Sequence, residues 1–307
     1  MSLHRALCMA AVVLAFIVVV MGAYVRLSDA GLGCPDWPLC YGRPVPAEIV
    51  DSHALAKAWK EMGHRYLAGA LGLLLVALAI AAWRLRRGTL LASAIVVVVV
   101  IQATLGAWTV TMLLKPAIVT AHLIGGMTTL ALLAWLALAQ WPHGAAPAMR
   151  ALRLAAAVAL AAVGIQIVLG GWVSANYAAL ACPELPRCPG RMDFANAFHV
   201  VRELGQTADG RLLSLDALRA IHWAHRLFAN VALIAVLFAA WRVLRVERWL
   251  AWVIVALVLL QFSLGVANVA FSLPLALAAA HNAGAALLLV SLVVLNFFAF
   301  RGLRPSW

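Results

Sequence analysis

Eight apolar runs, each about as long as a bilayer core is thick, divide this chain: residues 6–25, 62–83, 89–112, 118–140, 152–174, 218–241, 249–271 and 275–299. A helix needs roughly 20 apolar residues to cross the hydrocarbon core. No water is present there to bond a bare peptide group, so such a segment satisfies its own backbone as an α-helix rather than as an open strand. The composition agrees, with 66% of the 307 residues hydrophobic and only 11% charged. The runs therefore predict an all-α membrane protein with eight transmembrane helices. The first run follows Arg5 as a signal peptide would, but it is longer than a signal's apolar region and leads into a motif that recurs later. It is read as a retained helix.

Basic residues give the orientation. Arg84, Arg86 and Arg87 flank one loop, Arg150 and Arg153 a second, Arg242, Arg245 and Arg248 a third, while Arg5, Arg301 and Arg304 sit near the ends. Nearly all the acids fall in the other loops, Glu247 being the exception. Both termini are thus expected on the cytoplasmic side, and the long loops at 26–60 and 175–217 on the outside. The net charge of +12 reports topology and not a nucleic-acid partner.

The chain also repeats itself. V-R-L-S-D-A-G-L-G-C-P-D-W-P-L-C-Y-G at 25–42 matches V-S-A-N-Y-A-A-L-A-C-P-E-L-P-R-C-P-G at 173–190, with Val, Cys-Pro, an acid, Pro, Cys and Gly in step. I-Q-A-T-L-G at 101–106 recurs as L-Q-F-S-L-G at 260–265. His64-Arg65 recurs as His225-Arg226, and Ala121-His122 as Ala280-His281. Each half holds four helices, an even number, so both halves point the same way through the membrane as a parallel repeat. The expected organisation is two pseudo-symmetric four-helix bundles, 1–141 and 152–307, joined by a turn-rich cytoplasmic linker at 142–151. Residues 47–60 suggest a short amphipathic helix lying on the outer face.

Ionisable groups inside a membrane span are costly and mark functional positions. His64 and His225 are read as opening the second and sixth helices, with His122 and His281 near the start of the fourth and eighth. Facing side chains in a four-helix bundle build cofactor sites, and haem iron takes axial histidines. A single membrane histidine is as well explained by hydrogen bonding between helices, but two pairs at matched positions are not. The apolar surroundings supply too few further ligands for zinc. The small residues at 125–126 and 283–286 either leave room for a flat macrocycle or let helices pack closely. Arg65 and Arg226 suit carboxylates such as haem propionates, or snorkel to the interface.

The halves differ at one position. Glu61 lies one helical turn before His64, on the same face, and the second half has His222 there. A carboxyl beside a bound substrate can move a proton, so this asymmetry points to one reactive haem site and one that keeps its haem. The alternative is an interfacial residue beside Lys57 and Lys60.

Cys34 and Cys40 have five residues between them, as do Cys182 and Cys188. Either pair can close a small ring on the oxidising side. Spacing leaves open a structural staple, a redox pair and a four-cysteine metal site formed by both loops. Cys8, alone in the first helix, reads as a small hydrophobe.

Taken together, the 26–42 cysteine loop, E-M-G-H-R at 61–65, T-A-H-L at 120–123, H-R at 225–226 and A-H-N-A-G at 280–284 resemble the haem A synthase family over nearly the whole chain. The resemblance implies an eight-helix enzyme of two pseudo-symmetric bundles. Such an enzyme oxidises the C8 methyl of haem O to a formyl group, giving haem A for terminal oxidases. It implies that His64 and His122 ligate the substrate haem, that His225 and His281 ligate a haem b, and that Glu61 is the catalytic carboxylate. Cys34 and Cys40 would be a redox-active disulfide pair taking part in catalysis, and Cys182 and Cys188 a second disulfide. Mitochondrial members lack these cysteines, so the chain looks like the bacterial type, set in the inner membrane. Implied partners are haem O synthase (protohaem farnesyltransferase), the cytochrome oxidase assembly route, an electron acceptor or thiol-redox partner, the bilayer and a second copy of the chain. A bis-histidine di-haem electron carrier is the competing reading, and the Glu61/His222 inequality favours the enzyme. A thiol–disulfide exchanger would leave four repeated histidines unexplained.

Overall fold

The computed structural model describes residues 3–46 and 51–304. In chain order the helices are α1 (Leu3–Leu27), α2 (Ser52–Leu85), α3 (Thr89–Thr111), α4 (Pro116–Leu138), α5 (Arg153–Ala175), the single turn α6 (Phe194–Ala197), α7 (Leu215–Val243), α8 (Arg248–Ala270) and α9 (Leu275–Arg301). All but α6 are long and apolar enough to span a bilayer, so the chain is a multi-pass membrane protein.

Local chemistry explains where these helices begin and end. The Asp51 side chain accepts from the His53 N–H ahead of α2, and Ser214 accepts from Ala217 N–H ahead of α7. Such caps satisfy backbone donors that the first turn leaves unpaired. Pro116 opens α4, where a missing N–H costs nothing. The α3–α4 and α8–α9 turns close alike. Leu114 N–H reaches Thr109 O at 2.9 Å, and Leu273 N–H reaches Asn268 O at 2.7 Å. In each, two successive non-glycine residues take left-handed conformations, Leu113–Leu114 and Ser272–Leu273. This costs each roughly 1–2 kcal/mol but reverses the chain within four residues, setting His122 and His281 about two turns into the next helix.

The apolar runs place the helix cores correctly, but α2 starts ten residues before its run. The expected surface helix at 47–60 is not a separate element: Ser52 to Lys60 are the first turns of α2, and 47–50 lie outside the described residues. No breaker separates the polar turns from the apolar ones, so the capped helix simply continues. At 34 residues α2 is about 50 Å long, well over a core of roughly 30 Å, so its polar head stands clear of the hydrocarbon. His64 and His225 consequently sit about three turns inside their helices and do not open them.

Helices α1 to α4 pack in a closed ring, α1 on α2, α2 on α3, α3 on α4 and α4 back on α1. Helices α5, α7, α8 and α9 close a second ring in the same way. The rings meet through α1 on α9, α4 on α5 and α4 on α9. One apolar cluster runs through the first ring around Leu75, Leu78, Leu130 and Leu133. Another runs through the second around Val236, Ile254, Leu292 and Phe298. Lipid is as apolar as leucine, so what holds such helices together is close packing and hydrogen bonding rather than escape from water. Cys8 is 1% exposed within the first cluster, as its reading as a small hydrophobe predicts. At the arginine-rich end, Gly144–Ala145 pairs antiparallel with Leu303–Arg304, and Arg153 donates to Phe300 O. These bonds tie the linker to the end of α9.

Candidate functional site

Four histidines face four glycines. A Cβ added at Gly22 would stand 2.9 Å from His64 Cε1, at Gly106 3.3 Å from His122 Cε1, at Gly170 3.0 Å from His225 Cε1, and at Gly265 3.2 Å from His281 Cε1. Each histidine is therefore seated against the membrane-spanning helix that precedes its own in sequence, in a space that only the missing side chain leaves open. His64 and His122 belong to the ring of α1 to α4, and His225 and His281 to the ring of α5, α7, α8 and α9. The Nδ1 atoms of His64, His122 and His281 are buried without a hydrogen-bond partner. Buried polar atoms are nearly always paired in a native protein, so these mark a site built for something further.

The cysteines close two separate rings. Cys34–Cys40 and Cys182–Cys188 are disulfides, each with Cα atoms 4.8 Å apart. Among the described residues no group of three His, Cys, Asp or Glu side chains converges on a metal position, and the four cysteines do not share one site. Each ring also holds a cis proline, at Trp37-Pro38 and at Leu185-Pro186.

Glu61 joins the first ring to the histidines. It is 4% exposed. Its Oε2 accepts from Cys34 N–H at 2.9 Å, and its Oε1 is ion-paired with Arg65. Arg65 Nη1 donates on to Asp36 O at 2.9 Å and Leu39 O at 2.7 Å. The loop can come this close because Gly33 has no side chain: a Cβ there would lie 2.6 Å from Lys57 C and 2.7 Å from Ala58 N, both α2 backbone. Asp36 braces the ring from the far side, accepting from Tyr41 N–H at 2.6 Å and Gly42 N–H at 2.8 Å. The Gly42 N–H above all, with that of Tyr41, holds the Asp36 carboxyl below the usual carboxylate range.

The second half repeats this arrangement with one substitution. Arg226 donates to Glu184 O at 2.8 Å and Arg187 O at 3.2 Å, and bonds Cys182 O as well. Its Nε donates to His222 Nε2 at 3.2 Å. His222 thus fills the place of Glu61 as the arginine's partner one turn away, without its charge. The guanidinium groups of Arg65 and Arg226, for which propionate pairing and snorkelling were both open, hold the loop carbonyls. Sequence reading missed this because the carbonyls belong to the backbone and carry no residue signature. Among the small residues at 125–126 and 283–286, Gly125 and Gly284 leave room for a neighbouring glutamine. The Gln102 side chain rests on Gly125 and that of Gln261 on Gly284.

These residues fit a haem. Two imidazoles per pair are the donor set of an iron whose remaining ligands come from a macrocycle. Their side chains are half-buried, seated on glycine and in part unpartnered. The glycine signal was present in the sequence but split between helices. I-Q-A-T-L-G and L-Q-F-S-L-G have a third copy in α5, I-Q-I-V-L-G at 165–170, and a degenerate fourth in α1, I-V-V-V-M-G at 17–22. Comparing half with half hides it; comparing helix with helix shows it.

A family model described as cytochrome oxidase assembly protein (COX15-CtaA) matches residues 5–293. The chain is 42% identical to a protein named Heme A synthase from Shewanella oneidensis, over 93% of each chain. It is 26% identical to a Heme A synthase from Alkalihalophilus pseudofirmus over 82% of each. A shorter stretch, 36% of this chain, is 39% identical to 23% of a Protoheme IX farnesyltransferase from Haloarcula marismortui.

Proposed function

The chain belongs to the COX15-CtaA family of cytochrome oxidase assembly proteins and works as a haem A synthase; we propose that it oxidises the C8 methyl of haem O to the formyl group of haem A, with α1–α4 holding the substrate and α5 and α7–α9 holding a resident haem b. In this reading His64 and His122 would hold the substrate haem, and His225 and His281 would hold haem b. The observation that carries the division of labour is Glu61. It is a buried carboxylate one turn from His64, held by Cys34 N–H and Arg65, where the second half has the neutral partner His222. Electron carriage alone asks for no such inequality.

Turning a methyl into a formyl group is a four-electron oxidation that adds one oxygen. With water as the source, R–CH3 + H2O gives R–CHO, four protons and four electrons that pass to an external electron acceptor; with dioxygen, R–CH3 + O2 gives R–CHO + H2O with no net proton release. The haems, when bound, supply the iron redox chemistry that side chains lack. The protein's own residues do the rest. The histidine pair fixes the haem plane, so that the C8 edge is presented in one orientation. Glu61 takes up a proton at Oε1 or Oε2, or stabilises positive charge developing at the reacting carbon. Arg65 and the Cys34 N–H hold the carboxylate in place and in one rotamer. Cys34 and Cys40 act through that contact, since any change in their disulfide moves the N–H on which Glu61 depends.

The same reading puts the protein in a bacterial inner membrane with both termini cytoplasmic and the disulfide loops outside. A haem O synthase supplies its substrate, in keeping with the similarity of one stretch to a Protoheme IX farnesyltransferase. Extraction and chromatography of the haems from purified protein test the proposal, wild type beside Glu61→Gln. The wild type should yield haem b with haem O, hydroxylated haem or haem A. The variant should keep haem b and haem O but lose the oxidised forms by at least about tenfold. Haem b alone in both, with haem O supplied in the cell, would leave a di-haem electron carrier.

A further inference from the structure

In α5 and α8 the amide of the I-Q-x-x-L-G repeat reaches the histidine that its glycine seats. Gln166 Nε2 lies 3.1 Å from His225 Nδ1 and 3.4 Å from its Nε2, and also donates to His225 O at 3.1 Å. Gln261 Nε2 lies 3.3 Å from His281 Nε2. In α3 the amide of Gln102 packs on Gly125, and among the described residues no side-chain amide bonds the ring of His122. In α1 the amide is gone altogether. Val18 stands where Gln166 stands in α5, four residues before the glycine, and packs into the apolar cluster. His64 therefore has a glycine seat and no amide. Both rings of the second half are reached by a side-chain amide and neither ring of the first half is, while His122 and His281 each meet the backbone of their glutamine alike.

We propose that these amides decide which haem is kept and which is exchanged: Gln166 and Gln261 are positioning residues that lock the ligand histidines of the second half, and Val18 leaves His64 free to let substrate in and product out. The inference rests on the functional reading above and deepens it. A hydrogen bond to a ligand imidazole fixes its tautomer and ring orientation and raises its basicity, and losing such a partner typically weakens metal binding about 10–100-fold. An amide suits this role because it can offer either N–H or C=O as the ring's protonation state demands. An enzyme that makes haem for another protein has to release one haem and retain the other. Unequal ligand support achieves this with identical ligands.

The test is haem loss from purified full-length protein to excess apomyoglobin, followed optically, with low-temperature electron paramagnetic resonance of the oxidised protein as a second readout. Wild type should lose haem in a fast and a slow phase. Gln166→Leu and Gln261→Leu should speed the slow phase about 10–100-fold and shift its low-spin signal. Val18→Gln should slow the fast phase. Gln102→Leu removes an amide that packs in the same way but bonds no ring, and should change neither the rates nor the signals. If Gln102→Leu speeds loss as much as Gln166→Leu, the amides are packing residues and the proposal is wrong. Unchanged phases and signals in all four variants would overturn it too, while leaving the functional reading intact. A wild type with no bis-histidine low-spin signal would sink the functional reading, and this inference with it.

Discussion

Gly33 and Asp36 set the reach of the first disulfide loop, and each makes a distinct prediction. At Gly33 an added Cβ meets main-chain atoms of Lys57 and Ala58, which no rotamer change can move aside. Gly33→Ala should lift the loop from α2 and break the Cys34–Glu61 bond. Haem A formation should then fall about as far as in Glu61→Gln, with haem content and helicity retained; full activity would show that the close approach is dispensable. Asp36 has its pKa depressed in the folded protein, by the Gly42 N–H foremost. Its contribution to loop order is therefore complete above the unfolded value of about 3.9 and is lost only as pH falls through the lower folded value. Amide exchange at Tyr41 and Gly42 should stay protected down to about pH 4. Asp36→Asn should remove that protection at neutral pH.

Helix α2 shows how one element positions the candidate site. Its capped, polar first turns bring Glu61, His64 and Arg65 onto a rigid rod, so that their relative positions are fixed by helical geometry before any tertiary contact forms. The loop then docks on this rod. Asp51→Ala should fray the first turn, costing about 0.5–2 kcal/mol, visible as faster amide exchange confined to the start of α2. At the other extreme, α9 is inward-facing along most of its length, with Leu292 and Phe298 fully buried. Leu292→Ala leaves a cavity in the second ring and should cost about 2–5 kcal/mol, read as a lower melting temperature in detergent with the disulfides intact.

Across the molecule, the rings are joined by packing of α1, α4, α5 and α9 and, at the disulfide-loop end, by the Lys115–Glu203 ion pair at 2.9 Å and a clasp around Arg26. Arg26 donates to Ser174 O at 2.7 Å and lies 3.8 Å over the Tyr177 ring, whose hydroxyl donates to Asp29 at 3.0 Å. Asp29 and Tyr177 stand at equivalent positions of the two copies, so each loop root holds the other. Arg26→Ala should loosen this end alone, raising protease sensitivity of the two loops while haem retention in the second ring stays as in wild type.

Reading the chain in one dimension located the eight spans, the four histidines, the Glu61/His222 inequality and both cysteine pairs. The reason is that in a membrane each segment must satisfy its own backbone, so helix formation is a local property that hydropathy registers directly. It stopped at contacts made between helices. The start of α2 was misjudged because its first turns are polar and look like loop. That Arg65 and Arg226 grip loop carbonyls was not legible, because a backbone acceptor has no residue signature. The glycines seating the histidines went unread because a seat exists only once two helices face each other. Which residues share a helix face follows from periodicity; which faces meet depends on packing, and that is information no single helix contains.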